Sequence, residues 1–199
     1  MMGMMPRPMM PGQGMPGMMG GMKGRGKGSR GPAPTPPYAM PNGTTVVVRD
    51  LAKAQEHNGK TGKIMGWDQT KGRYEVELEG DTTLSLRPAN LTQQVRVKLV
   101  GIESQPELNG QSGMILNFNA GRYSVRLNTK LANGRDVVGL QPNNAILQTG
   151  TRVTTTGLSN EQFNGKMAEV MEVHEEALRY TVRLEGGKQI KIKLENVLC

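Results

Sequence analysis

The stretch that decides the fold runs from His57 to Leu78, HNGKTGKIMGWDQTKGRYEVEL. It recurs as LNGQSGMILNFNAGRYSVRL at Leu108 to Leu127, and in a more divergent form as FNGKMAEVMEVHEEALRYTVRL at Phe163 to Leu184. Three copies imply three similar modules. Each copy opens on an Asn-Gly pair (Asn58-Gly59, Asn109-Gly110, Asn164-Gly165), which supplies the positive φ of a tight turn. A short apolar run follows: Ile64-Met65 with Trp67, Ile115-Leu116 with Phe118, Val170-Met171 with Val173. After a polar turn comes strict alternation. Tyr74, Val76 and Leu78 share one face, as do Tyr123, Val125, Leu127 and Tyr180, Val182, Leu184. Period two with one apolar face describes a half-buried strand. The opposite faces read Glu75, Glu77, Glu79; Ser124, Arg126, Asn128; and Thr181, Arg183, Glu185. The inward residues match between copies and the outward ones do not, so the motif is one of core formation.

Working outward from the motif, each module gains an opening strand, such as TTVVVRDL from Thr44, and a further strand after the alternating one. Leu51, Ile102 and Leu158 stand in like positions, seven, seven and six residues before the turn Asn. Arg87-Pro88-Ala89-Asn90-Leu91 reads as a tight turn set by Pro, with Asn90 capping a short helical piece. Gln141-Pro142-Asn143-Asn144 is its counterpart, and Glu195-Asn196-Val197 the third, without the Pro. The resulting boundaries are 44–94, 95–149 and 150–199, preceded by residues 1–43. The middle module carries a five-residue insertion in NTKLANGRD, whose Asn133-Gly134 reads as the tip of a longer hairpin bearing Lys130 and Arg135.

Residues 1–43 hold eleven of the 15 Met, nine of the 12 Pro and eleven of the 27 Gly. Such a segment has no apolar period to bury, and the expectation is a disordered, basic Met/Gly/Pro tail. Within it Lys23, Arg25, Lys27 and Arg30 form KGRGKGSR, which resembles the glycine-arginine segments of RNA-associated proteins. Spaced cations on a flexible backbone can follow phosphates without reading bases. The net charge of +8 is uneven. The tail contributes +5 and the middle module +3 (six basic, three acidic), while the outer modules hold seven of each sign. A module of about 50 residues has a small core and is marginal alone, which favours three modules packed together or steadied by a partner.

The turn, the paired strands and the closing turn resemble small Src-homology-3-like barrels, and most closely the KOW type. There, Gly-x-x-Gly-x-Val begins a strand, as in Gly59-Lys60-Thr61-Gly62-Lys63-Ile64 and Gly110-Gln111-Ser112-Gly113-Met114-Ile115. The third copy departs from the pattern with Ala168 in place of the second Gly. The tandem form also resembles short repeats common in algal and other protist proteins. The resemblance covers residues 44–199 and implies an all-β chain of three tandem barrels. It says little about ligand, because this barrel hosts RNA, peptide and methyl-lysine binders alike.

Catalysis has no visible constellation in the sequence. His57 and His174 lack a matched acid or Cys, and one Cys with two separated His does not make a zinc site. No phosphate-binding Gly-rich loop occurs. The expectation is therefore a chain without cofactor, metal or small-molecule substrate. Cys199 alone cannot form an intramolecular disulfide, and no apolar run approaches the roughly 20 residues that cross a bilayer, so an intracellular, cytoplasmic or nuclear protein is expected. Aromatic pairs of Trp67 with Tyr74, Phe118 with Tyr123 and Phe163 with Tyr180 are too few to cage a methylated lysine. The tyrosines go to the core, and Trp67 is held open as a contact residue. Two functions remain. One is a non-catalytic adaptor binding other proteins in a larger assembly. The other is an RNA- or ribonucleoprotein-associated protein using the basic tail, Lys130 and Arg135.

The face assignment predicts that Tyr123→Ala destabilises the fold by about 3 kcal/mol or more, as for a large buried ring. Arg126→Ala on the same strand is expected to cost under about 0.5 kcal/mol. Chemical denaturation of the two variants measures both values, and equal losses would contradict the face assignment.

Overall fold

The computed structural model describes residues 3–6, 8–9, 12 and 34–199. Residues 34–199 form one compact unit. It is all-β, with fifteen strands in three five-stranded antiparallel sheets. Module one contains β1 (Thr45–Val48), β2 (Thr61–Asp68), β3 (Arg73–Leu78), β4 (Thr82–Leu86) and β5 (Leu91–Gln93). Module two contains β6 (Arg96–Leu99), β7 (Ser112–Asn119), β8 (Arg122–Leu127), β9 (Val137–Leu140) and β10 (Ala145–Leu147). Module three contains β11 (Arg152–Thr155), β12 (Met167–His174), β13 (Arg179–Leu184), β14 (Gln189–Lys193) and β15 (Val197–Leu198). The order within the first sheet is β4-β3-β2-β1-β5, and the other two repeat it. A meander whose last strand returns beside its first is the arrangement of a small barrel.

The alternation in the repeat is realised residue by residue. Tyr74, Val76, Leu78 and their counterparts Tyr123, Val125, Leu127 and Tyr180, Val182, Leu184 are all buried. Ile64, Ile115 and Val170 face Val76, Val125 and Val182 across the sheet. A bulge follows at the same place in each module, at Met65, Leu116 and Met171. The extra residue returns Trp67, Phe118 and Val173 to the inner face, opposite the three tyrosines, which unbroken alternation would not do.

The second glycine of the turn is a matter of space. A Cβ on Gly113 would lie 2.5 Å from Val125 Cγ1 and 2.7 Å from the Arg126 carbonyl, and one on Gly62 would lie 2.7 Å from the Glu77 carbonyl. Module three instead carries a fully buried Ala168, in register with Leu184.

The turn Asn is a clamp as well as a turn residue. Its neighbour glycine takes the positive φ (+83° at Gly59), whereas Asn58 itself stays at −62°. The Asn58 side chain accepts a bond from the Leu51 N–H at 2.9 Å and donates to the Leu51 carbonyl at 3.1 Å. Asn109 does the same to Ile102, and Asn164 to Leu158. The like spacing of those apolar positions is thereby explained.

The expected helix cap at Asn90 is corrected. Pro88–Asn90 is a 3-10 turn with Pro in its first turn and no side-chain cap. Asn90 closes the turn, and its amide donates to the Arg49 and Asp50 carbonyls, both at 3.1 Å. Asn144 and Asn196 repeat this bond pair in their own modules.

Two further expectations are corrected. The compact unit that holds module one begins at Pro34 rather than at Thr44. Ala39 and Met40 are buried in the core of module one, so residues 34–43 are not tail. The physical reason is a turn that repeats: Thr44 Oγ1 donates to the Pro41 carbonyl as Thr151 Oγ1 does to Gln148, both at 2.7 Å. The insertion in module two does not lengthen the β8–β9 hairpin. Residues 128–136 fold on themselves through Leu131 N–H to the Arg135 carbonyl and Gly134 N–H to the Leu131 carbonyl. Leu131 is half-buried and reaches the core, which anchors the loop.

The cores do not stay within module boundaries. Modules two and three share one apolar cluster, and Met167 of module three joins the cluster of module one. The tyrosine hydroxyls explain how. Tyr123 accepts from the Cys199 N–H at 3.2 Å, and Tyr180 accepts from the Leu147 N–H at 2.7 Å. Modules two and three thus exchange the ends of their last strands. In module one, Tyr74 accepts from the Met40 N–H at 2.9 Å, so residues 38–40 take the place that a neighbouring module's last strand would occupy.

Candidate functional site

Of the residues singled out by sequence, Lys23, Arg25, Lys27 and Arg30 lie outside the described residues. Lys130 and Arg135 are exposed on the 128–136 loop, and neither makes an ion pair within 4 Å among the described residues. Trp67 is half-buried against the core of module one, its ring centroid 4.6 Å from that of Tyr74 and tilted by 53°. Among the described residues its buried Nε1–H has no acceptor. Trp67 also borders a cleft of about 500 Å³ shared with Tyr38, Pro88 and Met167. The structure therefore separates Trp67, a core residue of module one, from Lys130 and Arg135 on a loop of module two.

The other aromatic pairings divide. Phe118 stacks on Tyr123 at 5.0 Å, as expected. Phe163 does not meet Tyr180. It lies in a 3-10 turn under the Lys188 ammonium, which is 4.5 Å from the ring centroid. Phe118 is also covered by the Arg49 guanidinium of module one, 4.9 Å from the centroid. Arg49 is held there by the Leu91 carbonyl at 3.3 Å and by Asp50 at 3.2 Å. This cation–π contact joins modules one and two and has no signature in the motif.

His57 and His174 are half-buried, with Glu56 at 3.6 Å and Glu172 at 3.5 Å respectively. His174 Nε2 also lies 2.9 Å from the Thr181 hydroxyl. Glu175, next to His174 in the chain, pairs with Lys98 of module two at 2.7 Å. Among the described residues no group of three His, Cys, Asp or Glu stands in metal-binding geometry. Cys199 is buried beside Tyr123, and burial pushes its thiol up to about 11.

Outward faces carry the chemistry that distinguishes the modules. On module one Glu75 and Glu77 on β3 and Glu79 in the turn after it are exposed and make no ion pair within 4 Å among the described residues. Lys63 stands opposite Glu77, and Met65 at the bulge is 47% exposed beside them. On module two, one cross-strand row runs Arg96, Met114, Arg126, Val137 over β6 to β9, every member exposed. Sequence reasoning recorded the alternating glutamates but missed the row, because summing charge by module erases faces and Arg96 and Val137 lie far apart in the chain. Among the described residues no helix is long and apolar enough to cross a membrane. No family model matches the sequence, and no curated protein matches it.

The buried hydroxyls and thiol have a measurable consequence. Burial raises Tyr74, Tyr123 and Tyr180 above their ordinary 10.0, and Cys199 from 9.0 to about 11. The unfolded chain therefore loses these protons first as pH rises. Their contribution to stability is full below pH about 9 and declines as pH climbs through 9 to 11 and beyond. Urea midpoints measured across that range are expected to fall steadily, and a flat profile would contradict the burial.

Proposed function

We propose that the chain is a non-catalytic scaffold that binds other proteins in a larger assembly through the outer faces of its three modules. The observation that carries this reading is the acidic ladder of module one. Alternate residues on a strand are about 7 Å apart. Exposed Glu75 and Glu77 at that spacing, with exposed Glu79 in the turn that follows and Met65 exposed at the bulge, repel phosphate and suit a basic protein surface with an apolar spot. The divergence of outward residues between modules that share their inward ones supports the same reading, since each face then selects its own contact.

A second reading, an RNA- or ribonucleoprotein-associated protein, is favoured by the exposed cations of module two. Arg96, Arg122, Arg126, Lys130 and Arg135 are all exposed there, and among the described residues Arg126 alone of the five has an acid within 4 Å, Asp136 at 3.8 Å.

Affinity purification of the tagged full-length chain from its native cell, with and without nuclease, separates the two. The scaffold reading expects partners that survive nuclease and are lost when Glu75, Glu77 and Glu79 are each changed to Lys. Partners that vanish with nuclease, and a single-stranded RNA affinity that falls steeply with salt and with Lys130→Ala and Arg135→Ala, would favour the second reading.

A further inference from the structure

Apolar exposure and charge coincide on this molecule. Within residues 34–199 four large hydrophobic side chains are well exposed: Met65, Met114, Val137 and Leu178. Three of the four lie on the two charged faces just described. Met65 sits at the bulge beside Glu75 on module one, with Glu77 next on the same face and Glu79 in the turn beyond, and Met114 and Val137 alternate with Arg96 and Arg126 on module two. Neighbours in a cross-strand row are about 5 Å apart, so each face has an apolar spot within reach of like charges. An apolar centre with a charged rim is the anatomy of a protein interface. The two faces carry opposite signs. Lys63 and Arg73 on the first, and Asp136, 3.8 Å from Arg126, on the second reduce each sign without reversing it.

We infer that these faces are partners: the outer face of module one in one copy docks on the outer face of module two in another. Met65 meets Met114 and Val137, and the glutamates surround Arg96 and Arg126. The inference rests on the scaffold reading and names a second copy of the chain as one of its partners. The contact is heterologous, since each copy offers one face of each kind. It closes into a two-fold pair in which the contact is made twice, or it adds copies end to end. Opposite charge makes it selective and salt-sensitive, because like charges brought together in the wrong pairing oppose it.

Sedimentation velocity on the full-length chain tests this from low micromolar to several hundred micromolar protein, at low and high salt. The expected result is a mass that rises with concentration and falls with salt. Two charge reversals are made at exposed positions, with circular dichroism to confirm that both variants fold. One is Glu75→Lys with Glu77→Lys and Glu79→Lys, and the other is Arg96→Glu with Arg126→Glu. Each alone is expected to weaken self-association at least about tenfold. Their equimolar mixture is expected to associate again, because the basic module-one face of the first variant then meets the acidic module-two face of the second.

A wild-type chain that stays monomeric throughout overturns the inference, as do reversals that assemble like wild type or a mixture that fails to recover. If the arginine reversal instead abolishes binding of single-stranded RNA while the wild type remains monomeric, the row is a nucleic-acid surface and the inference is again overturned. A monomeric wild type that still retains nuclease-resistant partners through its glutamates leaves the scaffold reading standing without self-assembly.

Discussion

A buried tyrosine hydroxyl must find a hydrogen-bond partner, and the rest of this structure depends on where each one finds it. Tyr74, Tyr123 and Tyr180 are the largest fully buried side chains of the fold. Leaving such a polar atom unpaired costs about 1–3 kcal/mol. None of the three is satisfied within its own five-stranded sheet. Tyr123 and Tyr180 take the amides of Cys199 and Leu147 from each other's module, and Tyr74 takes Met40 from the segment before β1. The same contacts bring Ala145, Ile146 and Leu147 into a core shared with module three. Modules too small for a generous core of their own gain one by exchange.

That exchange uses up the inner surfaces and leaves the outer ones free to vary. A residue such as Val125 or Val182 is fixed by the space around it, whereas the equivalent outward positions hold Glu75, Ser124 and Thr181, three different side chains that the core does not constrain. The insertion at 128–136 is tolerated for a related reason. It leaves β8 at the turn and rejoins at β9 with the register intact, Val125 still opposite Val138, as Val76 is opposite Leu84. Its one inward residue, Leu131, ties it down.

Much of this was legible in the chain. Strand alternation and the Asn-Gly turns led directly to the paired strands, because period two is a local consequence of the pleat. The roles of Asn90, Asn144 and Asn196 were not, since their acceptors lie about forty residues upstream and an Asn beside a turn looks the same whether it caps or clamps. Residues 34–43 were misread for a compositional reason: Pro34, Pro36, Pro37 and Pro41 resemble the tail, while the equivalence of Met40 with Leu147 shows only once both are seen bonded to a tyrosine. The basic row of module two was hidden because sheet faces collect residues from four strands, and no running count along the chain gathers Arg96 with Arg126.

The interlock of modules two and three is the claim on which the account stands, and native-state hydrogen exchange after removal of Val197–Cys199 tests it most directly. Loss of β15 takes the Cys199 amide from Tyr123 and opens the core that Ala145–Leu147 share with module three. The account predicts that amides in β7 and β8 of module two lose protection together with those of β12 and β13. Protection lost in module three alone, with β7 and β8 exchanging as in the intact chain, would contradict it.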